Sequence, residues 1–166
     1  MEHWPMRKTN AYRILEKERV SFEYHEFPAT AFTCEEVAEK LSLPLTQVFK
    51  TLVARGDRTG PLLALLPGDR ELDLKKLAAI SGNKSCKLVK KAEVEQLTGY
   101  LPGGCSPRGQ KRGYPVCADD SASGHSVVCI SAGLRGVQLF VPPNELLRLT
   151  KATVARLVSE RAGAGV

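Results

Sequence analysis

The sequence has no long apolar run. Its longest aliphatic stretch, "LLALL" at 62–66, is far short of the roughly 20 residues that cross a bilayer, and the opening "MEHWPMRKTN" has no apolar segment of the kind a secretory leader carries. There is no GxxxxGK[ST] loop, no GxGxxG and no HExxH, so nucleotide hydrolysis and zinc-peptidase chemistry have no support, and no serine triad can be assembled from its motifs. Histidine is scarce: His3 stands in the opening segment, His125 in the polar turn "SASGHS", and only His25 occupies a strand-like stretch, as a structural or pocket residue rather than a base. The five cysteines (Cys34, Cys86, Cys105, Cys117, Cys129) are odd in number, and none forms a CxxC pair or stands at metal-ligand spacing from a histidine. Reduced thiols acting as small apolar residues are expected, with no metal or other cofactor, in a soluble cytoplasmic protein.

What is present fits one domain. A chain of 166 residues can bury about 70% of the surface it would expose unfolded. The net charge is +6, and it is concentrated: nine lysines and arginines between Lys75 and Arg112 face only Glu93 and Glu95, a local +7. Such a block is either a solvated face or an electrostatic footprint for a polyanion, nucleic acid being the obvious one.

Periodicity gives the elements. Residues 9–19 repeat apolar positions at helical spacing, and "VSFEYHEF" alternates as a strand. Thr33 and Glu36 form an S/T-x-x-E capping box, so a helix runs to about Leu43 before Pro44. "VFKTLVARG" and "PLLALLPGD" read as two strands about a polar turn, and a helix follows from Asp73 to the stop at Gly82. "CKLVKKAEVEQLTGY" reads as a short strand and a helix stopped by Gly99, while 101–115 holds too many glycines and prolines for either. Strands "VCAD", "VVCIS" and "GVQLFV" precede a helix with Pro143 at its first position, and residues 1–8 and 159–166 are expected to be flexible. The expected fold is α+β: a single domain on a mixed, curved, partly barrel-like sheet of six or seven strands with flanking helices.

Two features could carry chemistry. Lys50 lies in a strand apolar on both faces, where an ammonium is costly unless something polar or anionic meets it. It could act as a base, a Schiff-base former or an anion clamp, or simply reach the sheet edge with its tip. The loop "GGCSPRG" could offer backbone amides to an oxyanion, or Cys105 as a nucleophile, although no histidine stands near it in sequence. Spacing alone leaves these open.

The blocks "VFKTLVARGD", "PGDRELDLKKLA", "LTGYLPGGCSPRGQK" and "ISAGLRGVQLFVPPNELLRLT", in that order, resemble the YbaK/EbsC branch of the aminoacyl-tRNA editing family, the Cys-tRNA(Pro) deacylases, from about Thr9 to Thr153. The resemblance implies a trans-editing deacylase that removes cysteine from mischarged proline tRNA and is partnered by the tRNA acceptor end and prolyl-tRNA synthetase. It implies release of a thiolactone after attack of the cysteine thiol on its own ester. The family's key lysine falls on Lys50, its threonine on Thr51, its pocket phenylalanine on Phe32 and its glycine loop on Gly103 and Gly104, with the Cys105 amide and Ser106 beside them. A pocket aromatic, tyrosine in some relatives, is Phe27, and a position acidic in some relatives is Gln138, which removes a hydroxyl and a carboxylate. Lys84, Lys87, Arg108, Lys111 and Arg112 are the expected tRNA contacts. An Ala-tRNA(Pro) deacylase using water and a non-catalytic tRNA- or synthetase-binding module are the alternatives.

Overall fold

Local signals set most element boundaries. The Thr9 hydroxyl accepts from the Tyr12 amide and opens α1 (Asn10–Lys17), and β1 (Glu23–Glu26) follows. Thr33 caps α2 (Cys34–Leu41) by accepting from the Glu36 amide, and Ser42 ends it in the left-handed region. The hairpin β2 (Phe49–Gly56) and β3 (Gly60–Pro67) comes next, then the short β4 (Arg70–Leu72). Asp73 accepts from two first-turn amides to cap α3 (Leu74–Ser81). There follow β5 (Cys86–Leu88), α4 (Lys91–Thr98), β6 (Val116–Asp119), β7 (Val128–Leu134), β8 (Val137–Val141), α5 (Pro143–Thr150), β9 (Thr153–Ala155) and β10 (Val158–Ala162). The computed structural model describes residues 7–110 and 112–162.

The strands form three sheets. The largest runs β5-β2-β3-β6-β9 and is mixed: β2 pairs antiparallel with β3 and β5, whereas β3–β6 and β6–β9 are parallel. The second runs β1-β8-β7, all antiparallel, and a parallel bridge between Val48 and Cys129 ties it to the entrance of β2. The α+β class and mixed pairing agree with the sequence reading. The strand count is higher than the six or seven expected: the described strands number ten, and they fall into three sheets rather than one closed barrel.

The extra strands are short edge pieces without a period-2 signature. β4 and β10 pair antiparallel, Val158 opposite Leu72, so residues 159–162 belong to a strand instead of a flexible tail. Leu157 and Val158 are buried beside Leu72 and Leu77, and that contact with residues about 80 positions away fixes the segment. Residues 7 and 8 are described and are exposed.

The central hairpin holds the core. Leu62 to Leu66 on β3 are fully buried. Phe49 joins the cluster of α1, β7, β8 and α5, while Val53 packs with Leu63, Tyr100 and Cys105. On the opposite side of the sheet, Val48, just before β2, packs with Cys34 and Val37, and Leu52 of β2 against the cluster of Leu66 and Leu72. Lys50 lies between those two apolar clusters, with Leu66 as its cross-strand partner.

Candidate active site

A cavity of about 550 Å³ opens beside β2, walled by the start of α2, the 101–107 loop and the β7–β8 pair. Six residues singled out from the sequence line it: Phe32, Lys50, Thr51, Gly103, Cys105 and Gln138. Apolar wall is added by Leu72, Leu88 and Val94 from β4, β5 and α4.

Lys50 is 9% exposed, and its Nζ reaches the Gly68 carbonyl only at 3.5 Å. None of the ion pairs among the described residues includes it. Burial lowers its pKa below the usual 10.5; the neighbouring Cys34, Glu35, Asp69 and Glu71 pull the other way without cancelling that effect. The cavity therefore contains a cation with no ion-pair partner in direct contact among the described residues, although Glu71 lines the same cavity. Such a group can attract an oxygen-bearing anion or dipole.

Phe32 stands at the mouth, 36% exposed, with φ +59°, a conformation that costs a non-glycine residue about 1–2 kcal/mol. Two neighbours hold it. The Glu36 carboxylate accepts from the Thr30 amide (2.8 Å) and hydroxyl (2.6 Å) and from the amides of Ala31 (3.2 Å) and Phe32 (3.1 Å). Gly103 (φ +78°) lies directly against the Phe32 carbonyl: a Cβ there would come within 2.7 Å of that oxygen, so only glycine fits. The capping box was legible as a helix start, and Thr33 does cap α2. Its glutamate, however, organises the turn before the cap, a role that only the folded backbone path reveals.

Burial would raise the Glu36 carboxyl, but the donated hydrogen bonds from Thr30, Ala31 and Phe32 outweigh it and hold the pKa at about 2, below the ordinary 4.5. A depressed carboxylate contributes stability that is fully present above 4.5 and is lost as the pH falls towards 2. Glu36→Gln is therefore expected to cost about 1.5–3 kcal/mol at neutral pH. The gap to wild type should close on acidification through that window in urea melts.

The glycine loop is more restricted than the sequence implied. The Gly104 amide already donates to the Leu101 carbonyl at 2.9 Å, and Gly104 does not line the cavity. Among the described residues the Gly103 and Cys105 amides have no acceptor, which leaves these two as the available donors. Ser106 is also misplaced by the sequence reading: its side chain is fully buried behind the loop, and its carbonyl accepts from Gln110. Phe27 likewise sits outside the cavity, packed against the Cys34 and Val37 layer, with its amide bound to the Gly136 carbonyl. Its aromatic character suits packing, so the missing hydroxyl has no consequence at the cavity. Gln138 does line the cavity, 4% exposed, its Oε1 accepting from the Cys129 thiol at 3.5 Å.

Burial pushes the Cys105 thiol up to about 12, the Thr98 hydroxyl opposing it weakly, and pushes the cavity-lining Cys34 up to about 11. Neither His25, stacked on Phe140, nor His125, edge-on to Phe49, lines the cavity. The Cys105 nucleophile is thus unsupported, for want of a histidine in the lining and of a thiolate. Of the basic residues, Lys84, Lys87 and Arg112 are exposed, and Lys87 lies on edge strand β5 next to the cavity-lining Leu88. Arg108 is half-buried with its Nε unpartnered, and Lys111 lies outside the described residues. Lys91, at the start of α4, lines the cavity as well.

Residues 28–149 match the family model of the aminoacyl-tRNA editing domain. The chain belongs to that family. EbsC of Enterococcus faecalis (strain ATCC 700802 / V583), whose name carries a provisional assignment as a Cys-tRNA(Pro)/Cys-tRNA(Cys) deacylase, is 41% identical over 155 residues, 92% of this chain and 94% of its own length. A 77-residue stretch, 46% of this chain, is 40% identical to the proline–tRNA ligase of Thermosipho africanus (strain TCF52B), of which it spans 14%. A solved structure provisionally described as a trans-editing enzyme for prolyl tRNA synthetase aligns with a TM-score of 0.79 and 31% identity over 90% of this chain and 97% of that one. The hypothetical protein APE2540 shares the fold, with a TM-score of 0.84 at 23% identity over 90% of this chain and 99% of its own. The editing family's matched span contains all of the cavity-lining residues named above, whereas α1, β1, β9 and β10 lie outside it. No helix among the described residues is long and apolar enough to cross a membrane.

Proposed function

We propose that this editing domain is a free-standing deacylase that clears cysteine from mischarged proline tRNA, the cysteine's own thiol acting as nucleophile. The carrying observation is the buried Lys50 ammonium, with no direct ion-pair partner among the described residues, in a cavity whose two lining thiols are held protonated and whose lining includes no histidine. Such a site can orient and stabilise charge, but it offers no activated nucleophile of its own.

In the proposed step the substrate sulfur bonds to its ester carbonyl carbon and the carbon–oxygen bond to the terminal ribose breaks. The ribose oxygen leaves with the proton given up by the thiol, and a four-membered cyclic thioester departs for hydrolysis in solution. A free cysteine thiol with a pKa of about 8.5 is already a few per cent thiolate at neutral pH. Alignment is what the protein must add, and intramolecular attack can reach effective molarities of about 10⁵ M when geometry is right, ring strain reducing that figure here. The Gly103 and Cys105 amides would receive the developing oxyanion. Lys50 would meet a phosphate or ribose oxygen of the terminal adenosine, or the carbonyl itself; 4 Å from a phosphate, its ammonium is worth about 4 kcal/mol at an effective dielectric of 20. That offsets much of the cost of its burial. Lys84, Lys87, Arg108, Lys111 and Arg112 would meet acceptor-stem phosphates, contacts that position without reading sequence. The partial match to proline–tRNA ligase supports prolyl-tRNA synthetase as the companion enzyme.

The test is deacylation of matched Cys-, Ala- and Pro-charged proline tRNA, with capture of the cyclic thioester. Hydrolysis confined to the cysteinyl form supports the reading. Equal rates for alanine point to a water-using Ala-tRNA(Pro) deacylase, and salt-sensitive binding without turnover to a non-catalytic module. Cys105→Ala should leave kcat/KM within a factor of about 3, because truncating the side chain keeps its amide. Inactivation by alkylation at that residue would instead revive the thiol nucleophile.

A further inference from the structure

Arg135, in the turn between β7 and β8, does not line the cavity, yet it touches both segments that form the cavity mouth. Its Nε and Nη2 both donate to the Pro102 carbonyl, at 2.9 and 2.7 Å. Its guanidinium carbon stands 4.2 Å from the centroid of the Phe32 ring. Its stem rests on Gly104, where a Cβ would meet Arg135 Cγ at 3.2 Å and Arg135 N at 3.1 Å. Gly103 in turn lies against the Phe32 carbonyl. The contacts close a ring: Phe32 side chain, Arg135, Pro102, Gly103, Phe32 backbone.

The combination of the two links made by the guanidinium is specific to arginine. A planar fork can point two N–H groups at one acceptor while its face stacks on an aromatic ring; lysine can supply the cation but not the fork. The left-handed Phe32 is a conformation that relaxes unless neighbours over-determine it, and glycines in the adjoining turn leave that loop with wide backbone freedom. Glu36 restrains Phe32 from the backbone side, and Arg135 is the group that ties its ring to the loop carrying the Gly103 and Cys105 amides.

We infer that Arg135 is a positioning residue of the deacylation site, a clamp that sets the spacing between Phe32 and the amide donors of the glycine loop. The inference rests on the proposed deacylation for its kinetic consequence and on geometry alone for its structural one. Displacement of the loop by about an ångström is enough to lower a rate by roughly 10²-fold.

The experiment has two arms. In the first, Arg135→Met and Arg135→Lys are compared with wild type in deacylation of Cys-charged proline tRNA. Both should lose about 10- to 100-fold in kcat with KM little changed, since the clamp orders the site without binding RNA. A raised KM with kcat intact would make Arg135 a phosphate contact and overturn the clamp. In the second arm, which needs no substrate, amide hydrogen exchange is followed at Ala31, Phe32 and Gly104, with Arg148→Met as a control on the exposed face of α5. Arg135→Met should accelerate exchange in both segments, and Arg135→Lys chiefly at Gly104, because lysine can keep its place over the ring while releasing Pro102. Unchanged exchange at all three amides in Arg135→Met refutes the clamp. Should wild type fail to deacylate the charged tRNA, the substrate reading falls, and the exchange arm still decides the role of Arg135.

Discussion

Lys50→Met is expected to lower kcat/KM for Cys-charged proline tRNA by about 10²–10³-fold, the loss typical when one preorganised charge-stabilising donor is removed. The same variant should be at least as stable as wild type. Two observations support that pairing. The ammonium is buried between apolar clusters with one long contact to the Gly68 carbonyl. An unpaired buried charge costs folding free energy, and an isosteric apolar chain removes the cost. The sign follows from the lowered pKa. At neutral pH the folded protein carries a charge it disfavours, so wild-type stability rises between the folded-state pKa and 10.5, and the advantage of the methionine variant shrinks over that interval. Urea melts at pH 7 and pH 10 with parallel deacylation assays check both halves. A Lys50→Met protein with wild-type turnover would remove the lysine from the chemistry. A destabilised one would mean that Lys50 has a partner in the folded state.

S-methylation of the esterified cysteine is expected to reduce cleavage by about 10³-fold or more, since it abolishes an attack whose effective molarity reaches about 10⁵ M in favourable geometry. The added methyl group changes volume by one carbon, and one carbon of misfit in an apolar pocket accounts for only about 10- to 200-fold. The comparison is therefore decisive in size as well as direction. The S-methylated ester should still bind, and so inhibit cleavage of the natural substrate competitively. Turnover of the blocked ester at the normal rate would mean that water or a protein group attacks, and would exclude substrate assistance.

Six residues singled out from the sequence line one cavity. A lysine in a strand apolar on both faces is unusual enough to single out, although its role stays open from spacing alone, and the structure leaves Lys50 buried with one long contact to the Gly68 carbonyl. The density of glycine and proline over 101–115 marks a loop, and Gly103 does need the freedom of glycine, both for its positive φ and for its approach to Phe32. Phe27 and Ser106 were misplaced for a common reason. Residue type and a family position indicate proximity to a site, but whether a side chain lies in front of a wall or behind it depends on strand register and loop path. Ser106 follows two cavity-lining positions at Gly103 and Cys105 and turns away from them.

The helix caps at Thr33 and Asp73, the buried β2–β3 hairpin and the chemically unusual lysine are properties of neighbouring residues, so the sequence alone determines them. The tertiary structure decided the division into three sheets, the β4–β10 pairing, the use of the Glu36 carboxylate on the turn before its own helix, and the grip of Arg135 on Pro102 and Phe32. Each of these needs a particular path of the chain through space. Arg135 and Pro102 are 33 residues apart, and no local preference brings them together. Their meeting is fixed by the packing of β7 and β8 beside the glycine loop, which buries apolar surface first and leaves the polar groups at its edges to find whichever partners that packing supplies.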